Sequence, residues 1–319
     1  MSASNQNVEF RNEQWEQSHA AFTKLTESKG ENGEAWHGLG WALAHLNRES
    51  EALAPLLRAI QLNPQNASAH RELGECYYEL QRFKEAVCQF KDYTRLKPND
   101  PAGHYSLAMA YCGLREFSSA VEPFLHALSL GPEFGEVYFH LGMAFSELGQ
   151  HEKAAGAFRD AIRLEPDDGD YYCRLAASYL ALQRREEAVQ AAQEALHIKP
   201  DSGDPYYLLG CALHEPGTYL EAVAAYEKSL ELSPGQLELA VNLGDAFLHL
   251  DRPEDARKIL ARVGTLESDD AKLHHSLAEL YLKLGMRDEA IREHETLRRL
   301  DHSLADAFAK LLNASSNLD

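Results

Sequence analysis

The chain has 319 residues, of which 45% are hydrophobic and 25% are charged, and its formal net charge is −19. This composition is typical of a soluble protein. The acidic balance argues against a nucleic-acid partner, because neutralising phosphates requires clustered Lys and Arg. No apolar stretch approaches the roughly 18 residues that a membrane span requires, so membrane insertion is not expected.

The cysteines and the N-terminus indicate the compartment. Five cysteines are scattered along the chain without a CxxC pair, and their odd number argues against a disulfide framework. The first ten residues contain neither a basic region nor an apolar run, so no signal peptide is predicted. We therefore expect free thiols and a cytoplasmic location.

The polar N-terminal residues 1–14 lack apolar periodicity, which predicts a flexible tail. Trp15, Phe22 and Leu25 follow at spacings that fit one face of a helix. They predict a helix over residues 15–32 that covers the open edge of the segment that follows.

Residues 33–304 contain eight repeats of 34 residues without insertion or deletion. In this frame, where Gly33 occupies place one, the eighth place is always Gly or Ala and the twentieth is always Ala. Within residues 135–168, apolar residues fall on one face of each of two helices, and Gly149 lies where the chain must turn between them. Each repeat is therefore predicted to be a helical hairpin that needs neighbours to bury its apolar faces. Prolines close six repeats: Pro64, Pro98, Pro132, Pro166, Pro200 and Pro234.

The repeats resemble the tetratricopeptide family across about residues 15–313. The matching residues are Trp36, Leu39, Gly40, Ala52, Ala59 and Pro64 in the first repeat, and His70, Leu73, Gly74, Tyr77, Ala86 and Phe90 in the second. The resemblance implies an all-α, right-handed superhelical solenoid of antiparallel helix pairs, forming one domain over residues 15–319. The first helix of each pair would line a concave groove and the second would face outward. It implies a platform for binding other proteins, without a reaction.

Helix ends are marked by capping residues and by an incomplete ninth repeat. Five polar residues stand where their side chains can accept hydrogen bonds from the first turn of a helix: Asn66, Asp100, Asp168, Ser202 and Asp270. Residues 305–313 predict a C-terminal capping helix, with Ser303 as its expected cap. Repeat seven departs most from the pattern, and its second helix is expected to end near Gly264.

No motif of enzymatic chemistry is present: the sequence lacks a phosphate loop, a dinucleotide-binding glycine pattern, HExxH and GxSxG. Catalytic residues, metal ligands and cofactors are therefore not predicted. Two histidine pairs are unsuited to binding one metal ion. His37 and His45 lie two helical turns apart, and the neighbours His274 and His275 point to different sides of a helix. His70, His104 and His274 are expected to replace the aromatic residue of the repeat core.

The resemblance implies a groove lined by places two, five, six, nine, twelve and thirteen of each first helix. The groove residues predicted to contact a partner are Trp41, Arg71, Tyr105, Met109, Phe139, His140, Met143, Arg174, Tyr207, Cys211 and Asn242. Acidic residues at place two would form its rim: Glu136, Asp170, Asp204 and Glu238. Of the cysteines, Cys112, Cys173 and Cys211 lie at groove places and are expected to react first in the folded protein.

An apolar groove with an acidic rim favours a partner segment that has apolar anchors and basic flanks. A protein-binding scaffold or adaptor is the first interpretation. The alternative is a noncatalytic subunit that contacts its partner through a broad surface. An enzyme is a distant third, because nothing in the sequence assembles a nucleophile, a base and an oxyanion site.

Overall fold

The computed structural model describes residues 3–131, 134–234, 236–263 and 268–315, and within these ranges it contains 18 α-helices and no strand. The predicted all-α class is therefore confirmed. The helices are α1 Ala3–Ser28, α2 Gly33–His45, α3 Glu49–Leu62, α4 Ala67–Glu79, α5 Phe83–Leu96, α6 Pro101–Gly113, α7 Phe117–Leu130, α8 Gly135–Glu147, α9 His151–Leu164, α10 Gly169–Ala181, α11 Arg185–Ile198, α12 Gly203–Leu213, α13 Tyr219–Leu232, α14 Leu237–His249, α15 Pro253–Val263, α16 Ala271–Lys283, α17 Arg287–Leu300 and α18 His302–Ser315.

The chain divides into two compact units, the first ending at Glu165 and the second beginning at Pro166. In the first unit each helix packs against the next along the chain, and the even-numbered helices α2, α4, α6 and α8 also contact one another in turn. In the second unit consecutive helices pack from α10 to α15 and again from α16 to α18, and α16 contacts α14. Each unit is thus a stack of helical hairpins, and the single array expected from the sequence stays a prediction.

Glycine at place eight allows the two helices of a hairpin to approach closely. A Cβ atom built on Gly142 of α8 would lie 2.6 Å from Cε1 of Phe158 in α9, and Phe158 is fully buried. The same relation holds in the second unit, where the ring of Tyr226 lies 2.5 Å from the corresponding point on Gly210. Small residues recur at this place because a large side chain of the facing helix fills the space.

The turn between the helices of a hairpin always uses the left-handed backbone region. In all eight repeats the residue at place fifteen has a positive φ: Asn47, Gln81, Arg115, Gly149, Gln183, Gly217, Asp251 and Gly285. Gly149, which the sequence placed at a turn, has φ +69°. Five of the eight residues carry a side chain, although glycine adopts this region most readily.

Four of the five predicted caps make the expected hydrogen bond, and the exception is Ser202. At α18 the predicted cap is wrong, since Oδ1 of Asp301 accepts from the backbone N–H groups of Ser303 and Leu304. A carboxylate one residue ahead of the helix is well placed to accept both bonds. As a result α18 begins at His302, earlier than the predicted residue 305.

The N-terminal boundary also differs from the prediction. The first helix begins at Ala3 rather than Trp15 and ends at Ser28, so residues 3–14 continue the helix that was predicted to start after them. Extending an existing helix costs far less than nucleating one, and Glu, Gln and Arg are good helix formers. Apolar periodicity is therefore not required there. In repeat seven, α15 is described to Val263, and Gly264 lies outside the described residues.

Candidate functional site

A cavity of about 220 Å³ lies between α4 and α6 in the first unit. Its walls come from places nine, twelve and thirteen of repeat two and from places five, six and nine of repeat three, which are groove places in the frame of the sequence. Phe90 of α5 completes the lining. Two predicted residues, Tyr105 and Met109, are brought together here. The lining consists of Glu75, Tyr78, Glu79, Phe90, Tyr105, Ser106 and Met109.

Tyr105 is fixed at one wall of this cavity by a hydrogen bond to the next repeat. Its hydroxyl donates to Oε1 of Glu136 at 2.8 Å. Burial, followed by this carboxylate, raises the pKa of Tyr105 well above its ordinary value, so the phenol stays protonated. A second cavity of about 270 Å³ lies on the other side of the tyrosine, where Glu136, Val137 and the exposed Phe134 form part of the lining.

The predicted residues of α8 lie outside the lining of the first cavity, and His140 lies beside Tyr105. The ring of Phe139 packs 5.3 Å from His140 and 5.9 Å from the core residue Phe158. His140 lies 3.8 Å from Glu136 and 6.0 Å from the ring of Tyr105, and burial lowers its pKa. Phe139 and Met143 are half-buried. Phe139 therefore serves partly as packing between hairpins.

Trp41 and Arg71 occupy separate surroundings near the N-terminal end of the first unit. The ring of Trp41 meets that of Trp15 edge to face, with centroids 4.6 Å apart, and His45 completes the cluster. Nε of Arg71 lies 3.6 Å from Glu75 and is a buried nitrogen without a hydrogen-bond partner among the described residues. Arg71 thus places positive charge beside the acidic edge of the cavity.

In the second unit, Tyr207, Cys211 and Asn242 form one polar group. The amide nitrogen of Asn242 donates to the hydroxyl of Tyr207 at 3.1 Å and lies 3.8 Å from Sγ of Cys211. Burial, then Cys211 and a hydrogen bond to Glu238, raise the pKa of Tyr207. Tyr207 and Glu238 occupy the same places in their repeats as Tyr105 and Glu136. Arg174 is exposed and belongs to no such group in the described structure.

The predicted rim residues are exposed, but they differ in their partners. Asp170 accepts a charge-assisted hydrogen bond from Nζ of Lys199 at 2.5 Å. Glu136 accepts the hydrogen bond from Tyr105, and Glu238 lies close enough to Tyr207 to raise the pKa of that phenol. The side chain of Asp204 makes no hydrogen bond or ion pair with any described residue. Only Asp204 is thus a plain rim charge.

Contacts between place five of one repeat and place six of the next were not foreseen from the sequence. Nε2 of His37 lies 2.9 Å from Oε2 of Glu72, which is only 5% exposed. Tyr207 and Asn242 repeat this relation in the second unit. A comparison of place five of each repeat with place six of the next would have shown these complementary polar pairs.

The histidines of place four behave largely as predicted. His70 and His274 are buried, which confirms that they replace the core aromatic, while His104 is half-buried. Nε2 of each lies within hydrogen-bonding distance of the backbone oxygen six residues earlier. A different group, His214, Asp245 and His249 in the second unit, was missed. The signal was present as Asp245 and His249, four residues apart on one helix face.

All five cysteines are free thiols, in agreement with the prediction. Cys88 on α5 is exposed and Cys76 is buried. Burial raises the pKa of Cys112 and Cys173 to about 11, and also raises that of Cys211. These shifts reduce the reactive thiolate form. The expectation that these three groove cysteines react first is therefore revised in favour of Cys88.

Among the described residues, no helix is both long and apolar enough to cross a membrane.

Comparisons with known proteins place this geometry in a family. Two models of the tetratricopeptide repeat match the chain, one over residues 54–110 and 213–275, the other over 7–67, 105–169 and 139–205. The second alone covers more than half of the sequence, and the chain belongs to the tetratricopeptide repeat family. Proteins of this family generally mediate protein–protein interactions.

Solved structures share the fold. A tetratricopeptide repeat protein from Parabacteroides merdae ATCC 43184 superposes with a TM-score of 0.66 at 16% identity, covering 78% of this chain and 99% of its own. YrrB, described as a TPR protein with an unusual peptide-binding site, gives 0.54 at 24% identity over 58% and 95%. The Cut9–Hcn1 hetero-tetramer of the APC/C gives 0.59 at 19% identity over 92% and 58%. A search of curated proteins found no match.

Proposed function

We propose that this protein is a scaffold that holds a segment of a partner polypeptide against the cavity between α4 and α6. The observation that carries this proposal is an open cavity of about 220 Å³ at the groove places of two successive repeats. Apolar cavities of about 150 Å³ bind benzene, so this one has room for a large apolar side chain. Affinity in protein interfaces is concentrated in such buried anchors.

The charge around the cavity favours a partner with basic flanks. Glu75 and Glu79 belong to its lining, and Glu136 lies on the far side of Tyr105. Burial raises the pKa of Glu75, a shift that an incoming Lys or Arg would counteract. Exposed charges contribute about 0–1 kcal/mol per pair and mainly affect association rate and partner choice.

Other predicted residues stay proposed partner contacts, each within its own unit. In the first unit His140 adjoins Tyr105, and Phe139 and Met143 lie on the same helix as His140. In the second, Tyr207, Cys211 and Asn242 form the polar group described above, with Asp204 as a free rim charge. Trp41 and Arg174 lie apart from both groups and carry the least support.

The scaffold role is proposed to be noncatalytic and cytoplasmic. Its support is the family to which the chain belongs and the five free thiols. The peptide-binding site named for YrrB offers an analogy at the level of the fold alone. The alternative is a noncatalytic assembly subunit with a broad contact surface. The exposed leucines of the outer helices, such as Leu57 and Leu125, are scattered singly and do not form the apolar patch that such a surface would need.

Selection from a displayed library of random peptides tests the proposal. We expect enriched sequences to carry one large apolar residue with Lys or Arg nearby, and Met109→Glu to abolish their binding. Leu125→Glu is the matched control, because it adds the same charge at an exposed outer-helix leucine. Selection of no peptide by the wild-type protein, or equal loss in both variants, would reject the cavity as a peptide site. Peptides that bind both variants normally would favour a different surface.

A further inference from the structure

Three side chains converge in the second unit at a position that no part of the scaffold role uses. Nε2 of His214 lies 3.2 Å from Oδ2 of Asp245, and Nε2 of His249 lies 3.3 Å from the same oxygen. The candidate ligand atoms of the three residues all lie within 4.8 Å of one another. His214 is half-buried, Asp245 is half-buried and His249 is exposed.

We propose that His214, Asp245 and His249 bind a divalent transition-metal ion of the Zn²⁺ class. Metal–ligand bonds of about 2.0–2.2 Å in a tetrahedral site place neighbouring ligand atoms about 3.3–3.5 Å apart. The distances from Oδ2 of Asp245 to the two histidine nitrogens, 3.2 and 3.3 Å, approach that spacing. They are longer than the roughly 2.7–2.9 Å of charge-assisted hydrogen bonds between a cation and a carboxylate. Two imidazoles and one carboxylate are a donor set that suits Zn²⁺ and leaves a fourth position open.

The local sequence departs from the repeat pattern beside His214. Place fourteen is Leu in seven of the eight repeats and Pro216 in the sixth. Proline disfavours helical geometry in the residue before it, and α12 ends at Leu213 after 11 residues, whereas α10 and α14 each have 13. His214 therefore leaves the helix, with ψ 73°, and turns its ring toward α14.

Outer contacts hold both imidazoles in place. Nδ1 of His214 lies 3.2 Å from the hydroxyl of Tyr226, a fully buried residue. With Nδ1 as the donor to that hydroxyl, Nε2 presents its lone pair toward Asp245. The ring of His249 stacks on that of Tyr219, with centroids 4.4 Å apart and planes 2° from parallel. Such support orients ligands in established metal sites.

The charge of Lys283 opposes the binding of a cation here. Its Nζ lies 3.3 Å from Oδ1 of Asp245, whereas both histidines lie near Oδ2. This contact leaves Oδ2 available but places a positive charge near the ion. Lys283→Gln should therefore tighten metal binding severalfold.

The test is a titration of the chelator-treated full-length chain with Co²⁺, followed by visible absorption, with Zn²⁺ competition to obtain affinity. We expect one Co²⁺ per chain with the d–d bands of a four-coordinate site. His249→Gln should weaken binding at least about tenfold, since loss of outer-shell partners alone costs 10–100-fold. His45→Gln is the matched control, because it occupies the same place in repeat one. Circular dichroism verifies that each variant is folded.

Equal affinities of wild type, His249→Gln and Asp245→Asn would overturn the proposal, as would the absence of a four-coordinate spectrum. An equal loss in His45→Gln would show that Co²⁺ binds other histidines. Weaker binding in Lys283→Gln would also count against it, because the lysine would then support rather than oppose the ion.

Discussion

The hydroxyl of Tyr105 donates a hydrogen bond to Glu136 at 2.8 Å, which links the wall of the cavity to the acidic residue of the next repeat. From the sequence, these two residues had separate roles, one as an apolar anchor and the other as a rim charge. The structure couples them. A substitution at Glu136 therefore removes the hydrogen bond that positions Tyr105 and also changes the local charge. Such a substitution cannot test electrostatic steering by itself.

This coupling predicts how stability depends on alkaline pH. Burial and Glu136 raise the pKa of Tyr105, and burial and Asp100 raise that of Tyr93 to about 12. Unfolded tyrosines ionise near pH 10. The folded chain thus keeps protons that the unfolded chain loses, so the free energy of unfolding should fall as pH rises from about 10 to 12. Urea denaturation across this range measures it. Tyr105→Phe should show a shallower decline, and an unfolding free energy that stays level in the wild type would contradict the assignment.

Gly142 provides a test of the hairpin joint. Because its missing Cβ would lie 2.6 Å from the buried ring of Phe158, Gly142→Leu should destabilise the protein by about 1–3 kcal/mol or more. Gly156→Ala is the control: it is also helical, and its added Cβ meets nothing within 4 Å. That substitution should stabilise by roughly 0.5–1 kcal/mol. Chemical denaturation distinguishes the two, and similar effects of both would show that the joint is not tightly packed.

The positive φ of Gln81, 57°, predicts a stabilising substitution to glycine. A side chain in the left-handed region costs roughly 1–2 kcal/mol, part of which is offset by the greater entropy of unfolded glycine. Gln81→Gly should therefore raise the unfolding free energy by a few tenths to about 1 kcal/mol. Arg115→Gly is the informative comparison, because Arg115 has φ 58° but also pairs with Glu147. A clear loss of stability in Gln81→Gly would mean that the side chain has a role not visible in its contacts.

The thiols should react in an order set by exposure and burial. We expect iodoacetamide to modify Cys88 first in the folded protein at neutral pH, since Cys88 is exposed and the pKa of Cys112 and Cys173 is raised to about 11. Peptide mass spectrometry over time gives the order. Cys88→Ser should remove the fast phase. Faster modification of Cys173 would indicate that α10 opens more readily than its burial suggests.

The fold could be predicted in detail because the same hairpin is specified eight times. Small residues at places eight and twenty, the turn at Gly149 and most helix caps follow from spacing and local hydrogen bonding. The N-terminus was harder, because residues 3–14 continue a helix without an apolar face. Capping at Asp301 was missed because a neighbouring serine offered an equally plausible acceptor.

The site was only partly predictable, because its contacts join different repeats. Place numbers identified Tyr105 and Met109 as surface-lining residues, and both line the cavity. They did not indicate that Tyr105 holds Glu136, nor that Nε2 of His214 approaches Asp245, 31 residues later. Such pairs depend on side-chain rotamers and on local departures such as Pro216. The repeat pattern describes only what the repeats share, so it does not show such pairs.

Methionine NMR tests whether the cavity between α4 and α6 receives the partner. The chain has only four methionines. Met109 lines the cavity, while Met286 packs against the core of the second unit. With ¹³C-methyl methionine labelling, titration with a peptide selected by the wild-type protein should shift the Met109 resonance saturably and leave Met286 unchanged. Saturable binding that leaves the Met109 resonance unmoved would show that the partner binds outside this cavity.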